Sequence, residues 1–143
     1  MLVSQILKSK GDSVFTITPH ETIGSAAALL HTRRVGALVV QDSDETVVGI
    51  VSERDVVRVV AEGGAGGMGQ PVRTCMSTSV IFAEPTESVD ALLARMTDRR
   101  IRHLPVCKDS RLVGIVSIGD LVKAKIAEAE HEAETLKNYI AAG

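Results

Sequence analysis

The chain has few aromatic residues, few cysteines and no excess of basic charge, and each shortage excludes a class of protein. Its 143 residues contain two Phe, one Tyr and no Trp, so the ring platforms on which single-stranded nucleic acids stack are largely missing. A net charge of −2 argues against a nucleic acid partner, because proteins that bind the phosphate backbone carry a basic excess. Cys75 and Cys107 match no metal or redox spacing, which favours a reducing cytoplasm.

Long apolar runs are also missing. No run approaches the roughly 20 apolar residues that a membrane span needs, and residues 1–5 (MLVSQ) lack the basic and then apolar pattern of a secretory signal. We therefore expect a cytoplasmic protein without a membrane partner. The 45% hydrophobic and 24% charged residues are typical of a soluble globular domain, whose core must be aliphatic because so few aromatics are present.

The chain contains an internal repeat. Residues 80–106 repeat the pattern of residues 14–40 without a gap, and the sequence VGIVS then occurs at both 48–52 and 113–117. The polar turn before the second VGIVS is one residue shorter, a change that a surface loop tolerates. Two copies of one structural unit are therefore predicted.

Each copy predicts the order strand, helix, strand, strand, helix, which makes the fold α+β. The predicted strands are Val14–Ile17, Ala37–Val40 and Val47–Val51 in the first copy, and Val80–Ala83, His103–Val106 and Leu112–Val116 in the second. The polar turn between the last two strands indicates an antiparallel pair. The first helix of each copy shows apolar residues at helical spacing, with Thr18 as a candidate N-cap. One copy of about 50 residues buries too little apolar surface to fold alone, so the two copies are expected to share a core.

A glycine-rich segment, Ala61–Gly69, has no periodicity and predicts a flexible link between the copies. Val72–Met76 resembles Val3–Leu7, so a short lead-in precedes each copy. The predicted division is repeat 1 with its lead-in at 1–62, the linker at 63–71, repeat 2 at 72–127 and an extension of the C-terminal helix at 128–143.

The C-terminal segment has heptad spacing. Apolar residues follow one another at intervals of 4, 3, 4, 3 and 4 at Val122, Ile126, Ala129, Ala133, Leu136 and Ile140. This predicts a long helix, running to about Ala141, with a narrow apolar seam. The seam fits packing on its own domain and contact with a second copy of the chain equally well.

The paired blocks RRVGALVV…VVGIVSERD and RRIRHLPVCKDSRLVGIVSIGD resemble tandem CBS domains, also called a Bateman module. The resemblance covers the chain up to about Ala127. It implies that the two copies pack around a pseudo-two-fold axis and form two clefts for adenosine-containing ligands. AMP is the first expectation, with ATP, ADP, NAD(H) and S-adenosylmethionine as alternatives. Such modules commonly pair into flat dimers, so the resemblance also implies a homodimer.

A Ser-x-x-Asp pattern recurs where each closing helix is predicted to begin, as Ser52 with Asp55 and as Ser117 with Asp120. A helix start offers unpaired N–H groups and a positive dipole end, which attract phosphate. An ionised Asp only accepts hydrogen bonds and so suits the two hydroxyl donors of a ribose. The same spacing also fits plain helix capping. Its recurrence, together with the family resemblance, favours ribose binding.

The resemblance further implies that each cleft takes its Asp from one copy and its mid-strand residues from the other. The predicted cleft 1 contains Ser52, Arg54, Asp55, Ile81, Arg102 and His103. The predicted cleft 2 contains Lys10, Phe15, Gly36, Ala37, Ser117, Gly119 and Asp120. Guanidinium and imidazolium groups suit phosphate, so cleft 1 is expected to be the stronger anion site. Cleft 2 would depend on backbone groups, on Lys8 or Lys10, and on Phe15 as an apolar wall for adenine.

These features predict a regulatory adenine-nucleotide-binding module that senses energy or redox state and signals through a conformational change to an unidentified effector protein. The sequence contains no evident nucleophile–base pair, no clustered carboxylates and no metal-ligand spacing. We therefore expect no enzyme, no catalytic cofactor and no metal. The alternatives are an interaction or oligomerisation scaffold without a ligand, and a nucleotide-hydrolysing enzyme.

Overall fold

The computed structural model describes residues 1–11 and 13–142 as an α+β chain. In chain order the elements are α1 (Val3–Lys10), β1 (Thr16–Ile17), α2 (Ile23–Arg33), β2 (Ala37–Gln41), β3 (Val47–Ser52), α3 (Glu53–Gly63), α4 (Val89–Arg99), β4 (His103–Lys108), β5 (Arg111–Ser117) and α5 (Ile118–Ala142). The residues form two compact units. The repeat-1 unit comprises residues 13–81, and the repeat-2 unit comprises residues 1–11 together with 82–142.

The repeat-1 unit contains a three-stranded sheet in the order β1-β2-β3. β1 is parallel to β2, and β2 is antiparallel to β3, as the polar turn between them predicted. The strand predicted at Val14–Ile17 is shorter than expected, because only Thr16 and Ile17 pair with β2. Ile23 and Leu38 are fully buried within this unit, so its core is aliphatic.

The repeat-2 unit contains the antiparallel pair β4-β5, and the strand predicted at Val80–Ala83 is wrong. Only Ala83 pairs, through a single parallel bridge to Val106. In repeat 1 the corresponding ladder uses a bond from the Val39 N–H to the Phe15 carbonyl. The residue at the place of Val39 in repeat 2 is Pro105, which has no N–H to donate.

The first helix of each repeat begins at Ile23 or Val89, after a turn that contains Pro19 or Pro85. The Thr22 hydroxyl caps α2 by accepting from the Ser25 N–H, and Ser88 caps α4 in the same way. Thr18, the candidate N-cap, instead donates its N–H to Glu21 Oε2 at 2.8 Å. The proline therefore lies in a separate turn between strand and helix. The residue that follows each helix as its C-cap is an arginine in the left-handed conformation, Arg34 after α2 and Arg100 after α4, each with φ of 54°.

Each lead-in packs in the unit of the other repeat. In the repeat-2 unit the Val3 N–H donates to the Glu87 carbonyl at 2.9 Å. In the repeat-1 unit the Val72 N–H donates to the Glu21 carbonyl at 2.8 Å. Val3 and Val72 are both fully buried. Each compact unit therefore contains one repeat together with the lead-in of the other. The boundaries 1–62 and 72–127 describe the sequence repeat and differ from those of the compact units.

The lead-ins explain why both VGIVS strands contain glycine. A Cβ on Gly49 would lie 2.6 Å from Met76 Sδ, and a Cβ on Gly114 would lie 2.6 Å from Leu7 Cδ2. A lead-in side chain occupies the space over each strand where a side chain would otherwise stand. The glycine is required by this close approach.

The glycine-rich segment is helical rather than irregular. α3 continues to Gly63, and residues Gly64–Gly69 form 3₁₀ turns. Met68 packs against the core of the repeat-1 unit, and Gly67 approaches Val59 so closely that a Cβ would lie 2.7 Å from it. The lack of periodicity suggested a flexible link, but the contacts of Met68 and Gly67 order these turns. α5, in contrast, has the length that the heptad spacing predicted.

Candidate functional site

The start of α3 is built around Ser52 and Asp55. The Ser52 N–H donates to Asp55 Oδ2 at 2.8 Å, and the Asp55 N–H donates to Ser52 Oγ at 3.4 Å. This reciprocal capping box satisfies two backbone donors. The Asp55 side chain is only 13% exposed. The capping role that the spacing allowed is therefore present, and it fixes the carboxylate at the helix start.

Arg58 contacts the same carboxylate, which the sequence analysis missed. Its Nη1 lies 3.2 Å from Asp55 Oδ1, and its Nη2 donates to the Cys75 carbonyl at 3.1 Å. The available signal was the spacing of Asp and Arg by three residues, which places them side by side on a helix. Burial and the charge of Asp55 raise the pKa of the Cys75 thiol, against the opposing effect of Arg58. Cys75 is therefore a protonated, buried thiol rather than a nucleophile.

The start of α5 repeats this arrangement with a different cation. The Ser117 N–H donates to Asp120 Oδ2 at 2.9 Å, and the Asp120 N–H donates to Ser117 Oγ at 3.1 Å. Lys10, at the end of α1, places Nζ 2.6 Å from the same Oδ2 and donates to the Ile115 carbonyl at 3.0 Å. The structure thus brings together three residues of the predicted cleft 2, namely Lys10, Ser117 and Asp120.

The Asp120 carboxyl is held in its ionised form. Burial acts to raise its pKa, but the hydrogen bond from Lys10, the hydrogen bonds from Ser117 and the lysine charge outweigh burial and lower the pKa. An ionised carboxylate offers only acceptor positions. The group is therefore suited to receive hydroxyl donors, although Lys10 already occupies part of it.

The remaining polypeptide around each helix start comes from the strand that pairs with the one leading into the helix, which is β2 in the repeat-1 unit and β4 in the repeat-2 unit. Ala37 pairs with Ser52, and the Glu53 N–H donates to the Gly36 carbonyl at 3.0 Å. In the repeat-2 unit His103 pairs with Ser117 in the same register. The Arg102 carbonyl correspondingly accepts the Ile118 N–H at 2.8 Å. Each predicted cleft combines residues of both units, so the clefts themselves stay predictions.

The side chains assigned to the cleft walls differ in exposure. Arg54, Arg102 and Gly119 are exposed, Ile81 and Phe15 are half-buried, and Ala37 is 5% exposed. The guanidinium of Arg33 lies over the Phe15 ring, 4.8 Å from its centroid, which is a cation–π contact. The ring predicted as an adenine wall thus already has a partner on one face, and the helical spacing of apolar residues in α2 gave no signal for this contact.

Among residues 1–11 and 13–142, no three His, Cys, Asp or Glu side chains come together as a metal site. Within the same part of the chain no helix has the length and apolar character needed to cross a bilayer.

Comparison with known proteins identifies the repeat. The family model named CBS domain matches residues 3–62 and 72–127. A CBS-domain-containing protein of Agrobacterium tumefaciens is 44% identical, with a TM-score of 0.84 over 87% of this chain and 92% of its own. A mitochondrial CBS domain-containing protein of Arabidopsis thaliana is 36% identical over 149 residues, which cover 99% of this chain and 72% of the relative.

Two further solved structures contain ligands. A CBS domain protein of Pyrobaculum aerophilum in complex with AMP is 29% identical, with a TM-score of 0.75 over 84% of this chain and 89% of its own. A CBS domain pair in complex with 5′-methylthioadenosine and S-adenosyl-L-methionine is 26% identical, with a TM-score of 0.80 over 90% of this chain and 98% of its own. The bound molecules share an adenosine group.

Proposed function

We propose that this chain, which belongs to the CBS domain family, is a regulatory module that binds an adenine nucleotide. AMP is the first candidate, with ATP, ADP, NAD(H) and S-adenosylmethionine as alternatives. The observation that carries the proposal is the recurrence of one carboxylate geometry at two helix starts, with Ser52 and Asp55 in one unit and Ser117 and Asp120 in the other. The module would report energy or redox state to an effector protein in the cytoplasm.

The carboxylates act on the ribose in this proposal. Asp55 and Asp120 each have one oxygen fixed by the backbone N–H of the N-cap serine, so the group is oriented before a ligand arrives. Pre-orientation lowers the entropy cost of binding. A hydrogen bond from a ribose hydroxyl to a charged carboxylate contributes about 1.5–3 kcal/mol. A carboxylate has about four acceptor positions. The Ser52 N–H and hydroxyl both use Oδ2 of Asp55, so the ribose would bind at Oδ1 and would share that oxygen with Arg58 or displace it.

The two clefts are proposed to differ in their handling of phosphate. Cleft 1 would place the positive charges of Arg54, Arg102 and a protonated His103 near the phosphate of a nucleotide bound at Asp55. Cleft 2 would offer Lys10, whose ammonium group lies 2.6 Å from Asp120 Oδ2. A nucleotide entering cleft 2 must draw Lys10 away from the carboxylate or share it, which costs part of the gain. Cleft 1 should therefore bind anionic ligands more tightly.

Regulation requires that the nucleotide bind two conformations of the module unequally, since a ligand shifts an equilibrium only by its differential affinity. The lead-ins are suited to respond, because Lys10 belongs to α1 and its ammonium group contacts the carboxylate proposed to hold the ribose. Release of Lys10 by a ligand would free the end of α1. A change in α1 is then the signal that an effector protein would detect.

Isothermal titration calorimetry with AMP, ADP, ATP, NAD⁺, NADH and S-adenosylmethionine tests the proposal. We expect heat of binding with AMP, and loss of the tighter binding in the double variant Asp55→Asn, Arg102→Ala. Asn is used because it can still accept the Ser52 N–H, whereas Ala would also remove a cap worth about 1 kcal/mol. Arg111→Ala, an exposed arginine outside both clefts, is the matched control.

Two outcomes would contradict the proposal. No heat with any adenine ligand would favour the scaffold without a ligand. Conversion of ATP or ADP by the purified protein, lost in Asp55→Asn, would establish a hydrolase, since the proposed ribose-binding carboxylate would then take part in catalysis. Protein incubated with each nucleotide and analysed by chromatography distinguishes binding from turnover.

A further inference from the structure

One face of α5 carries an apolar seam that remains exposed. The seam residues are Val122, Ile126, Ala129, Ala133, Leu136 and Ile140. The side chain exposure rises along the helix, with Ile126 at 55%, Leu136 at 60% and Ile140 at 69%. Isolated exposed hydrophobic residues are normal, but a heptad series over about five helical turns is the pattern of a coiled coil.

The helix packs on its own unit through a different face. Leu121 is fully buried and Ala124 is 9% exposed, and both occupy the side where α5 contacts α4 and β5. If Val122 and Ile126 are heptad positions d and a, Leu121 and Ala124 are positions c and f, which lie on the opposite side of the helix. Packing on its own unit therefore does not cover the seam.

The residue types at the seam favour two strands. Position a is occupied by Ile126, Ala133 and Ile140, and position d by Val122, Ala129 and Leu136. Branched residues at a with leucine at d favour a parallel dimer over higher oligomers. Ala129 and Ala133 at the centre allow the two helices to approach closely.

The flanking charges select a parallel arrangement in register. In such a dimer each g residue faces the e residue five positions later on the other chain, so Lys125 faces Glu130 and Glu132 faces Lys137. Both pairs have opposite charge. In a fully overlapped antiparallel dimer Glu130 and Glu132 would each face their own counterparts, which brings like charges together.

From these observations we propose that the α5 seam pairs with a second copy of this chain as a parallel, in-register, two-stranded coiled coil. Lys125 also bridges Asp90 at 2.9 Å within its own unit. Such an exposed ion pair is weak, so it can exchange for Glu130 of the partner subunit. The Glu132–Lys137 pair lies beyond the part of α5 that packs on its own unit. It therefore contributes most to the choice of register between the two helices. This proposal is independent of nucleotide binding.

The first experiment measures mass in solution. Sedimentation equilibrium of the full chain should show a dimer or a multiple of one, and Leu136→Lys should halve that mass. Asn138→Lys adds the same charge at position f, away from the seam, and should leave the mass unchanged. A monomeric wild-type protein, or a Leu136→Lys protein with the mass of the wild type, would overturn the proposal. Circular dichroism shows whether each variant is folded.

The second experiment tests orientation. Ile140→Cys should form a reducible cross-linked dimer under mild oxidation, because equivalent a positions meet in a parallel coil. Asn138→Cys at position f and the unmodified chain are the controls and should cross-link far less. Failure of Ile140→Cys to exceed these controls would exclude the parallel arrangement, since an antiparallel coil places residue 140 near Val122 of the partner.

The third experiment tests register through charge. Glu132→Lys alone and Lys137→Glu alone each place like charges opposite one another and should weaken self-association about tenfold. An equimolar mixture of the two variants restores both opposite-charge pairs and should recover the wild-type dimer as a heterodimer. Equal self-association of the single variants and the wild type would remove the basis for the register.

Discussion

Replacing Gly49 by Ala should destabilise the protein more than the same change at Gly114, although both glycines occupy the same place in VGIVS. At Gly49 the new Cβ would lie 2.6 Å from Met76 Sδ and 2.9 Å from the Ser77 carbonyl oxygen. Ser77 exchanges two backbone hydrogen bonds with Ile50, at 3.0 and 2.8 Å, so this carbonyl cannot retreat without breaking them. At Gly114 the nearest atoms all belong to the flexible end of Leu7.

These contacts determine how far each substitution should lower the free energy of unfolding. Ordinary contact begins at 3.4 Å, so Gly49→Ala must open the packing by about 0.8 Å against the Met76 side chain and by about 0.5 Å against the Ser77 backbone. Overpacking of this kind costs about 2–3 kcal/mol. At Gly114 the methyl ends of Leu7 can rotate away, so a cost of about 1 kcal/mol is expected. Gly66 has open space around its position, and Gly66→Ala should be neutral or slightly stabilising.

Urea unfolding followed by far-ultraviolet circular dichroism measures these differences, a suitable probe because the chain has no Trp. Leu7→Ala combined with Gly114→Ala should cost less than the sum of the single variants by about 1 kcal/mol, because truncation removes the clashing atoms. Met76→Ala should rescue Gly49→Ala only in part, since the Ser77 carbonyl remains. The explanation would be refuted by a Gly49→Ala protein as stable as Gly66→Ala.

Three further predictions concern the helix starts. The lowered pKa of Asp120 means that its pairing with Lys10 stabilises the fold above pH 3.8 and that this contribution is lost as the pH falls through the lowered value. Lys10→Gln should therefore be less stable than wild type at pH 7, by less than about 1 kcal/mol for a partly exposed pair, and equal to it in strong acid, as measured by urea unfolding across pH. Ser88→Ala removes the cap of α4 and should cost about 1 kcal/mol in the same assay, with Ser88→Gly costing less. In AMP titrations Asp55→Asn should remove the tighter binding step and Asp120→Asn the weaker one, and equal losses would contradict the proposed inequality of the clefts.

Much of the fold could be predicted because the two copies of the repeat can be compared with each other within one sequence. The antiparallel pairing follows from the polar turn between two adjacent strands. The apolar faces of α2 and α4 and the length of α5 follow from periods of 3.6 and 3.5 residues. All of these are local properties of the chain. The N-caps at Thr22 and Ser88 were within reach, since a Ser or Thr directly precedes each apolar series. The prediction of Thr18 as the N-cap was wrong, because Thr18 lies before the turn that contains Pro19 and the helix begins after that turn.

Features that depend on distant residues could not be predicted in this way. Pro105 removes the donor that Val39 uses in the other repeat, so one predicted strand is reduced to a bridge. The stacking of Arg33 on Phe15 and the contact of Arg58 with the Cys75 carbonyl depend on packing between elements. No local sequence pattern indicates which group the long, flexible side chain of an arginine will contact.

The sequence by itself determined that the protein consists of two copies of one unit, that each copy carries a Ser-x-x-Asp helix start, and that the last helix has a seam. These features could be predicted because hydrophobic period, capping chemistry and repetition can be recognised from the order of the residues alone. Only the tertiary structure decided that each lead-in packs in the unit of the other repeat, where Leu7 and Met76 fill the space over Gly114 and Gly49. The same packing brings Lys10 onto Asp120 across more than 100 residues of chain. Such pairings are chosen by the fit of buried surfaces, which exists only once the chain has folded.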